Sequence, residues 1–275
     1  MQFTNTIAQI SSCESVSPLR GMLRHVGWQF RRAFHRFPVE LTIGRSIMLA
    51  DRPTGVAALV NSMGMYDFNN MTLIQRVLQA TGGAFFDVGA NIGAYTLIAS
   101  EVADATVVSI EPHPESYRLL CDNVRLNRRQ NVICVNAAAS DHEGSVNLSD
   151  GGELSTNRVL AGDIPAEKAI PVDTTTLEKV CEDLNIWPVL IKIDVEGHEP
   201  FVLTGYSNYK KTDAIIIENG ERPGIHETLQ NAGYHGPLYF HATANVFSAT
   251  RQRKPEDPVF IRLPLLKMIH SDRRF

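Results

Sequence analysis

The sequence predicts an α/β protein, a mostly parallel sheet with helices on both faces. Three observations point there. Between residues 84 and 135, strand-like and helix-like segments alternate as β-α-β-α-β. The strand-like segments are apolar throughout instead of alternating, the pattern of strands buried on both faces. The first of them runs into a glycine-bearing loop, Asp87 to Gly93, that opens a helix, and parallel sheets place ligands at such strand ends.

The composition is that of an ordinary globular chain. With 275 residues, 44% hydrophobic and 20% charged, 19 Gly and 14 Pro, it predicts one large domain, or one with an appendage. Disordered, collagen-like and disulfide-stapled classes are excluded. A formal charge of −4 argues against a surface built wholly to grip nucleic acid. The four cysteines, Cys13, Cys121, Cys134 and Cys181, form no CxxC pair and are expected to be reduced thiols that pack as small hydrophobes. Residues 1 to 19 hold no apolar signal core, and no run reaches the roughly 18 apolar residues of a membrane span. The expectation is a cytoplasmic protein with no transmembrane segment.

Taken in order, residues 1–60 form an N-terminal extension. Leu23, Val26, Phe30, Phe34 and Phe37 recur at helical spacing among Arg20, Arg24, Arg31, Arg32 and Arg36, which predicts a basic amphipathic helix over 19–37. Either it packs on the main domain with its arginines in water, or it touches an anionic lipid, a phosphorylated substrate or a second subunit, giving a peripheral membrane contact or a homodimer. After Pro38, Val39–Ile43 and Ser46–Ala50 read as a hairpin about Gly44 and Arg45.

The main domain is placed at 61–263. Its expected elements are a helix 73–80 stopped by Gly82 and Gly83, strand 84–88, helix 94–102, strand 106–110, helix 115–127 and strand 131–135. An irregular polar stretch, 140–170, leads to helix 175–184, strand 189–195, a short helix 200–205, strand 214–218 and helix 224–232. Strands 236–240 and 258–263 bring the sheet to seven, and 264–275 is left as a tail. The basic segments 251–254 and 267–274 are short and separated, which predicts solvated chain and no nucleic-acid partner.

Chemistry concentrates at two places. In Asp87-Val-Gly-Ala-Asn-Ile-Gly93, Gly89 and Gly93 allow a tight turn and close approach of a ligand, with free N–H groups at the helix start facing it. Glu111 ends the next strand, where a carboxylate accepts both hydroxyls of a ribose. A dinucleotide wants G-x-G-x-x-G, but Ala90 and Asn91 fill that space, which disfavours the rival reading of an NAD-dependent oxidoreductase; no P-loop occurs either. Asp87 repels phosphate and suits a cationic cofactor, and S-adenosylmethionine fits that charge pattern.

The runs FFDVGANIGAYT, SIEPHPESYRLLCDNVRLN, VNAAASDHEG and LIKIDVEGHEPFVLTGY resemble the FkbM family of S-adenosylmethionine-dependent methyltransferases, over residues 65–220. The last run, with Lys192, Asp194, Glu196, Gly197 and Glu199, is the most specific. The resemblance implies a Rossmann-like class I methyltransferase fold with a seven-stranded, mostly parallel sheet, and O-methylation of a sugar, glycolipid or secondary-metabolite hydroxyl, hence a small-molecule or glycan acceptor. It implies Asp87, Gly89, Asn91 and Gly93 around the methionine part of the cofactor, Glu111 on its ribose, and Ser140 and Asp141 near the adenine, where an aspartate accepts amino hydrogens. A nucleic-acid or protein methyltransferase is the rival within the class, weakened by D-V-E-G where N-P-P-Y would stand. A cofactor-binding scaffold without turnover is the third reading.

Around the fourth strand, period-two alternation puts Leu190, Lys192 and Asp194 on one face and Ile191, Ile193 and Val195 on the other. A lysine inside an apolar strand demands a partner, either Asp194 or Glu218. Asp194, His198 and Glu196, in that order, are the candidates to take the proton of an acceptor hydroxyl. Lys192 either balances charge or joins the chemistry. A divalent cation held by Asp194 and Glu196 is an alternative that two ligands alone do not require. Tyr66 and Asp67 are candidates to close over the cofactor, and Asn219, Glu221 and Arg222 to line the acceptor pocket.

Overall fold

The computed structural model describes residues 16–149, 159, 169–251 and 257–271. Cys13, residues 1–15, most of the middle of the polar stretch, and the basic positions 252–254 and 272–274 lie outside them. The chain enters through helix α1 (Pro18–Ala33), with proline in its first turn. The hairpin β1 (Val39–Ile43) and β2 (Ser46–Ala50) pairs with alternating burial, as its sequence alternation requires. Helix α2 (Gly55–Met63), which the sequence reading did not place, starts at Thr54, whose hydroxyl accepts from the Ala57 N–H. Helix α3 (Phe68–Thr81) begins five residues before the expected Leu73 because Asp67 caps it.

The doubly covered sheet follows. β3 (Ala84–Val88), α4 (Ala94–Ala99), β4 (Thr106–Ile110), α5 (Pro114–Leu126) and β5 (Val132–Val135) form the expected alternation. Beyond β6 (Ala138–Ala139), β7 (Gly144–Ser149) and β8 (Ala169–Thr175) come α6 (Leu177–Leu184), β9 (Pro188–Ile193), α7 (Glu199–Thr204), β10 (Ala214–Ile217), α8 (Pro223–Asn231), β11 (His235–His241), β12 (Val246–Ser248), β13 (Val259–Ile261) and α9 (Leu263–Ser271). All seven expected strands join one sheet, and β12 adds an eighth at its edge, in the order β12-β11-β13-β10-β9-β3-β4-β5. The run from β10 to β5 is parallel, and β13, β11 and β12 are antiparallel. Successive residues of the central strands feed opposite cores. Phe85, Val107 and Leu190 join one cluster and Phe86, Val108 and Ile191 the other. Trp28, Ile43 and Met48 share the first cluster, so the N-terminal elements pack on that same face.

Three expectations are corrected. The stretch 140–170 is not irregular where it is described: β7 pairs with β8, and with β6 they make a second, three-stranded sheet around Ala138, Leu148 and Val172. Because β8 runs to Thr175, the next helix starts at Leu177 with Thr176 as its cap. The segment after 263 is not a solvated tail up to residue 271. It is a helix whose Leu265 and Ile269, one turn apart, are buried. The third correction concerns α1, which meets the domain through Gly21, His25 and Trp28 while Leu23, Val26, Phe30 and Phe34 face solvent. Of the two readings of that apolar face, packing on the main domain is the one not met. Burial pushes the Cys134 and Cys181 thiols up to about 12, in keeping with packing roles. Among the described residues no helix is long and apolar enough to cross a membrane.

Candidate functional site

From β3 the chain order runs out to β4 and β5, then returns on the other side to β9 and β10. The strand order therefore reverses between β3 and β9, and open α/β sheets hold ligands outside the carboxyl ends at such a point. A polar row crosses the apolar sheet just below this mouth. Ser109 of β4, Asp87 of β3 and Lys192 of β9 stand side by side in register. Thr96 ties two of them together, its hydroxyl donating to Asp87 Oδ2 at 2.7 Å and lying 2.8 Å from Ser109 Oγ. The other oxygen, Asp87 Oδ1, is buried with no hydrogen-bond partner in the structure. Burial raises the Asp87 carboxyl, with Lys192 opposing.

The loop above this row is tightly turned and hydrogen-bonded within the protein. The N–H groups of Gly89 and Ala90 both donate to Ile110 O, Asn91 donates to Glu111 Oε2 at 2.8 Å, Ile92 to Asn91 Oδ1 and Gly93 to Ala90 O. These five N–H groups belong to the loop that precedes the helix start at Ala94, and they are spent inside the protein. Glycine at 89 is imposed by the chain: φ is +82°, and a β-carbon there would overlap the carbonyl oxygen of Asp194. At Gly93, φ +94°, a β-carbon would crowd only the movable end of the Leu120 side chain, so the left-handed backbone is what favours glycine there. Gly89→Ala is expected to lower stability by at least about 1–2 kcal/mol, the cost of a left-handed L-residue alone, read as a drop in the thermal midpoint. An unchanged midpoint would disprove the contact.

Glu111 braces this loop against the turn after β4, with Oε1 accepting from His113 N at 2.9 Å and Oε2 from Asn91 N. Burial pushes its carboxyl up to about 7, against the pull of those two donors. Each oxygen keeps a further lone pair.

Lys192 is 1% exposed and donates to Asp194 Oδ2 at 2.7 Å, so of its two candidate partners it takes Asp194 and not Glu218. Burial opposes its charge, yet Asp194, Asp257 and Asp87 outweigh burial and hold the ammonium above the usual lysine range. It also lies 4.4 Å from the centre of the Tyr95 ring. Tyr95 meets Tyr66 edge to face and donates to Asp67 Oδ2 at 3.1 Å, so Tyr66 and Asp67 are brought to this wall. Asp257 was not singled out in the sequence, where it sits in a polar run without a pattern. The approach to β13 carries it to this cluster, and its carboxyl is pushed up to about 7 by burial, with Lys192 opposing. Glu218 is pushed up to about 8 by burial and then by Asp194, Glu196 and Glu199.

The other proposed residues separate from this pair. Glu196 is exposed and, with Gly197, turns in the left-handed region at φ +53° and +101°. His198 stacks on Phe201, and its Nε2 lies 3.0 Å from Ser140 Oγ, which donates in turn to Asp141 Oδ1. Burial lowers the His198 imidazole. His198 thus stands with Ser140 and Asp141 rather than with Asp194. Glu199 is wholly buried, accepts from Gly197 N at 2.9 Å and leaves Oε2 buried without a hydrogen-bond partner. Glu221 is engaged by Tyr239 and Arg251, Arg222 caps α8, and Asn219 turns at φ +56°. Among the described residues no three His, Cys, Asp or Glu side chains converge as metal ligands.

The reversed strand order, Glu111 just after β4 and the charged mouth of β9 make a Rossmann-like fold with its crevice at the switch point, the architecture of class I methyltransferases. The chain belongs to the FkbM methyltransferase family, whose domain, Methyltransferase FkbM, it matches over residues 87–236. It is similar to the hexuronic acid methyltransferase AglP of Haloferax volcanii, 27% identical over 135 residues, which are 48% of this chain and 54% of that one. The chain thus spans about half the length of the curated relative it matches. Among solved structures it is distantly similar to Trm5b of Pyrococcus abyssi (TM-score 0.41, 12% identity, 81% of this chain and 54% of that chain). A second is M. jannaschii TYW2 in complex with AdoMet (TM-score 0.37, 14% identity, 82% and 87%).

Proposed function

We propose that this chain is an S-adenosylmethionine-dependent O-methyltransferase acting on a hydroxyl of a sugar-type acceptor. One observation carries the cofactor: the mouth is acidic, and the carboxylates of Asp87 and Glu111 at the strand ends keep accepting capacity. Such a mouth suits a cationic ligand bearing hydroxyls and repels a pyrophosphate. The orphaned Asp87 Oδ1 fits, since a buried acceptor without a donor calls for one. Asp87, Gly89, Asn91 and Gly93 would hold the methionine portion, Glu111 the ribose, and Ser140 and Asp141 the adenine. When bound, the cofactor supplies a methyl group on a sulfonium, already activated for displacement.

The chain's own work is then alignment and proton removal. Alignment alone supplies about 7–11 kcal/mol in well-oriented reactions. Asp194 takes the hydroxyl proton on the oxygen that Lys192 leaves, and a positioned base contributes about 10²–10⁴-fold. Lys192 acts by orienting Asp194. His198, turned toward Ser140, and Glu196, at the surface, stand behind it. The sugar-type acceptor rests on the likeness to AglP. Labelled methyl transfer to a panel of sugars, uronic acids and glycolipids tests this reading; a purified chain that binds the cofactor but methylates none of them counts against the acceptor.

Glu111 gives the binding step a pH dependence. Ionised, it accepts both ribose hydroxyls; protonated, it cannot. With its carboxyl at about 7, S-adenosylhomocysteine is expected to bind about tenfold more weakly at pH 6 than at pH 8, from the fraction of competent protein. Titration calorimetry at the two pH values checks this, and Glu111→Gln should flatten the difference. A slope that survives in Glu111→Gln assigns it to another group.

A further inference from the structure

Helix α1 turns its apolar stripe outward. Leu19 is 72% exposed, Leu23 66%, Phe30 61% and Phe34 66%, with Met22 and Val26 beside them. At 3.6 residues per turn these side chains form one continuous face, opposite the Gly21, His25 and Trp28 face that anchors the helix. Monomeric soluble proteins rarely expose a patch of this kind without a partner for it. Arg20, Arg24 and Arg31 line one flank of the stripe, Arg32 and Arg36 add to the charge, and no acidic residue stands between Glu14 and Glu40.

We infer that α1 is a docking helix for an anionic lipid surface, lying in the plane of the bilayer. Its outward apolar face enters the headgroup boundary and its arginines meet lipid phosphates, their stems running along the interface. Charge chooses this occupant over a second copy of the chain. Two such helices face to face would bring together eight arginines with no acidic residue on either helix to meet them, whereas an anionic leaflet neutralises them. The helix is firmly mounted, with Asn61 Nδ2 donating to Arg24 O at 2.9 Å and Ser62 Oγ lying 3.4 Å from His25 Nδ1. Asn61 and Ser62 belong to α2, whose end leads within a few residues to Tyr66 and Asp67 at the mouth of the crevice. Docking would therefore fix the crevice rim relative to the membrane. It is independent of the chemistry inside.

Co-sedimentation of the full chain with vesicles is the test. Binding to mixed phosphatidylglycerol and phosphatidylcholine is expected to exceed binding to phosphatidylcholine alone by about tenfold or more, from several arginines near an anionic surface, and to fall as salt is raised. The double variant Leu23→Gln, Phe30→Gln, with its thermal midpoint unchanged, should lose that binding by about tenfold or more. Should that variant fail to fold, Arg20→Gln with Arg31→Gln serves instead, the expected result being a shallower salt dependence. No binding to anionic vesicles, or equal binding to neutral ones, overturns the inference. So does a chain that runs as a dimer in size-exclusion chromatography and becomes monomeric in the Leu23→Gln, Phe30→Gln variant.

Discussion

Lys192→Met is expected to destabilise the fold by about 3–5 kcal/mol, the range for removing one partner of a buried ion pair. The side chain is 1% exposed and within reach of three carboxylates, Asp194, Asp87 and Asp257. Methionine fills much the same volume, so the loss reports charge more than packing. Its pH dependence separates the two. Burial already raises Asp87 and Asp257, the latter to about 7, and Lys192 is what opposes the rise. Without it both carboxyls hold protons in the folded chain that they release when unfolded. The folded state then binds more protons, and stability must fall as pH rises. The variant should be most stable near pH 4 and lose stability progressively through pH 7, measured by urea unfolding across that window. A loss of the same size at every pH would assign the effect to packing alone.

Asp194→Asn carries the second large effect, on rate. Asparagine keeps the shape and still accepts from Lys192, but it cannot take a proton. We expect kcat to fall by about 10²–10⁴-fold with S-adenosylhomocysteine binding and the KM for acceptor little changed, the signature of an interaction made in the transition state. Retained turnover would move the base to His198 or Glu196. A parallel loss of binding would make Asp194 part of the cofactor site. His198→Ala gives the contrast. Its ring is held by Ser140 and Phe201, so it should change cofactor affinity more than kcat.

How much of this was legible in the sequence follows from what each residue answers to. β3 and β4 came out at their observed bounds because strands buried on both faces are continuously apolar, and the hairpin did so because its faces differ. The Lys192–Asp194 pair was legible as a lysine stranded in an apolar strand with a carboxylate two residues on, on the same face. β7 was not, since half of its side chains are exposed and only one is fully buried, so it carries little apolar signal. Helix α9 was hidden because few of its residues, chiefly Leu265 and Ile269, are buried. Asp257 reaches Lys192 by the antiparallel return of β13 beside β10, a topology that no local pattern announces. The glycine loop was found for its glycines, but the hydrogen bonds of its own backbone were not. That Ile110 O and Glu111 take the N–H groups of Gly89, Ala90 and Asn91 depends on how closely β4 approaches, which spacing along the chain does not convey. For α1 the periodicity was right and the direction stayed open: a 3.6-residue stripe says which residues share a face, not whether protein or something else covers it.

The claim on which the functional reading depends is that the crevice at the ends of β3, β4 and β9 takes an adenosyl sulfonium ligand. A crystal structure of the chain grown with S-adenosylhomocysteine tests it most directly. The expected result is the ligand in that crevice, its ribose against Glu111 and its amino-acid end beside Asp87. Ligand bound at any other place, or a crevice closed by the protein's own side chains while the ligand is present, would contradict it.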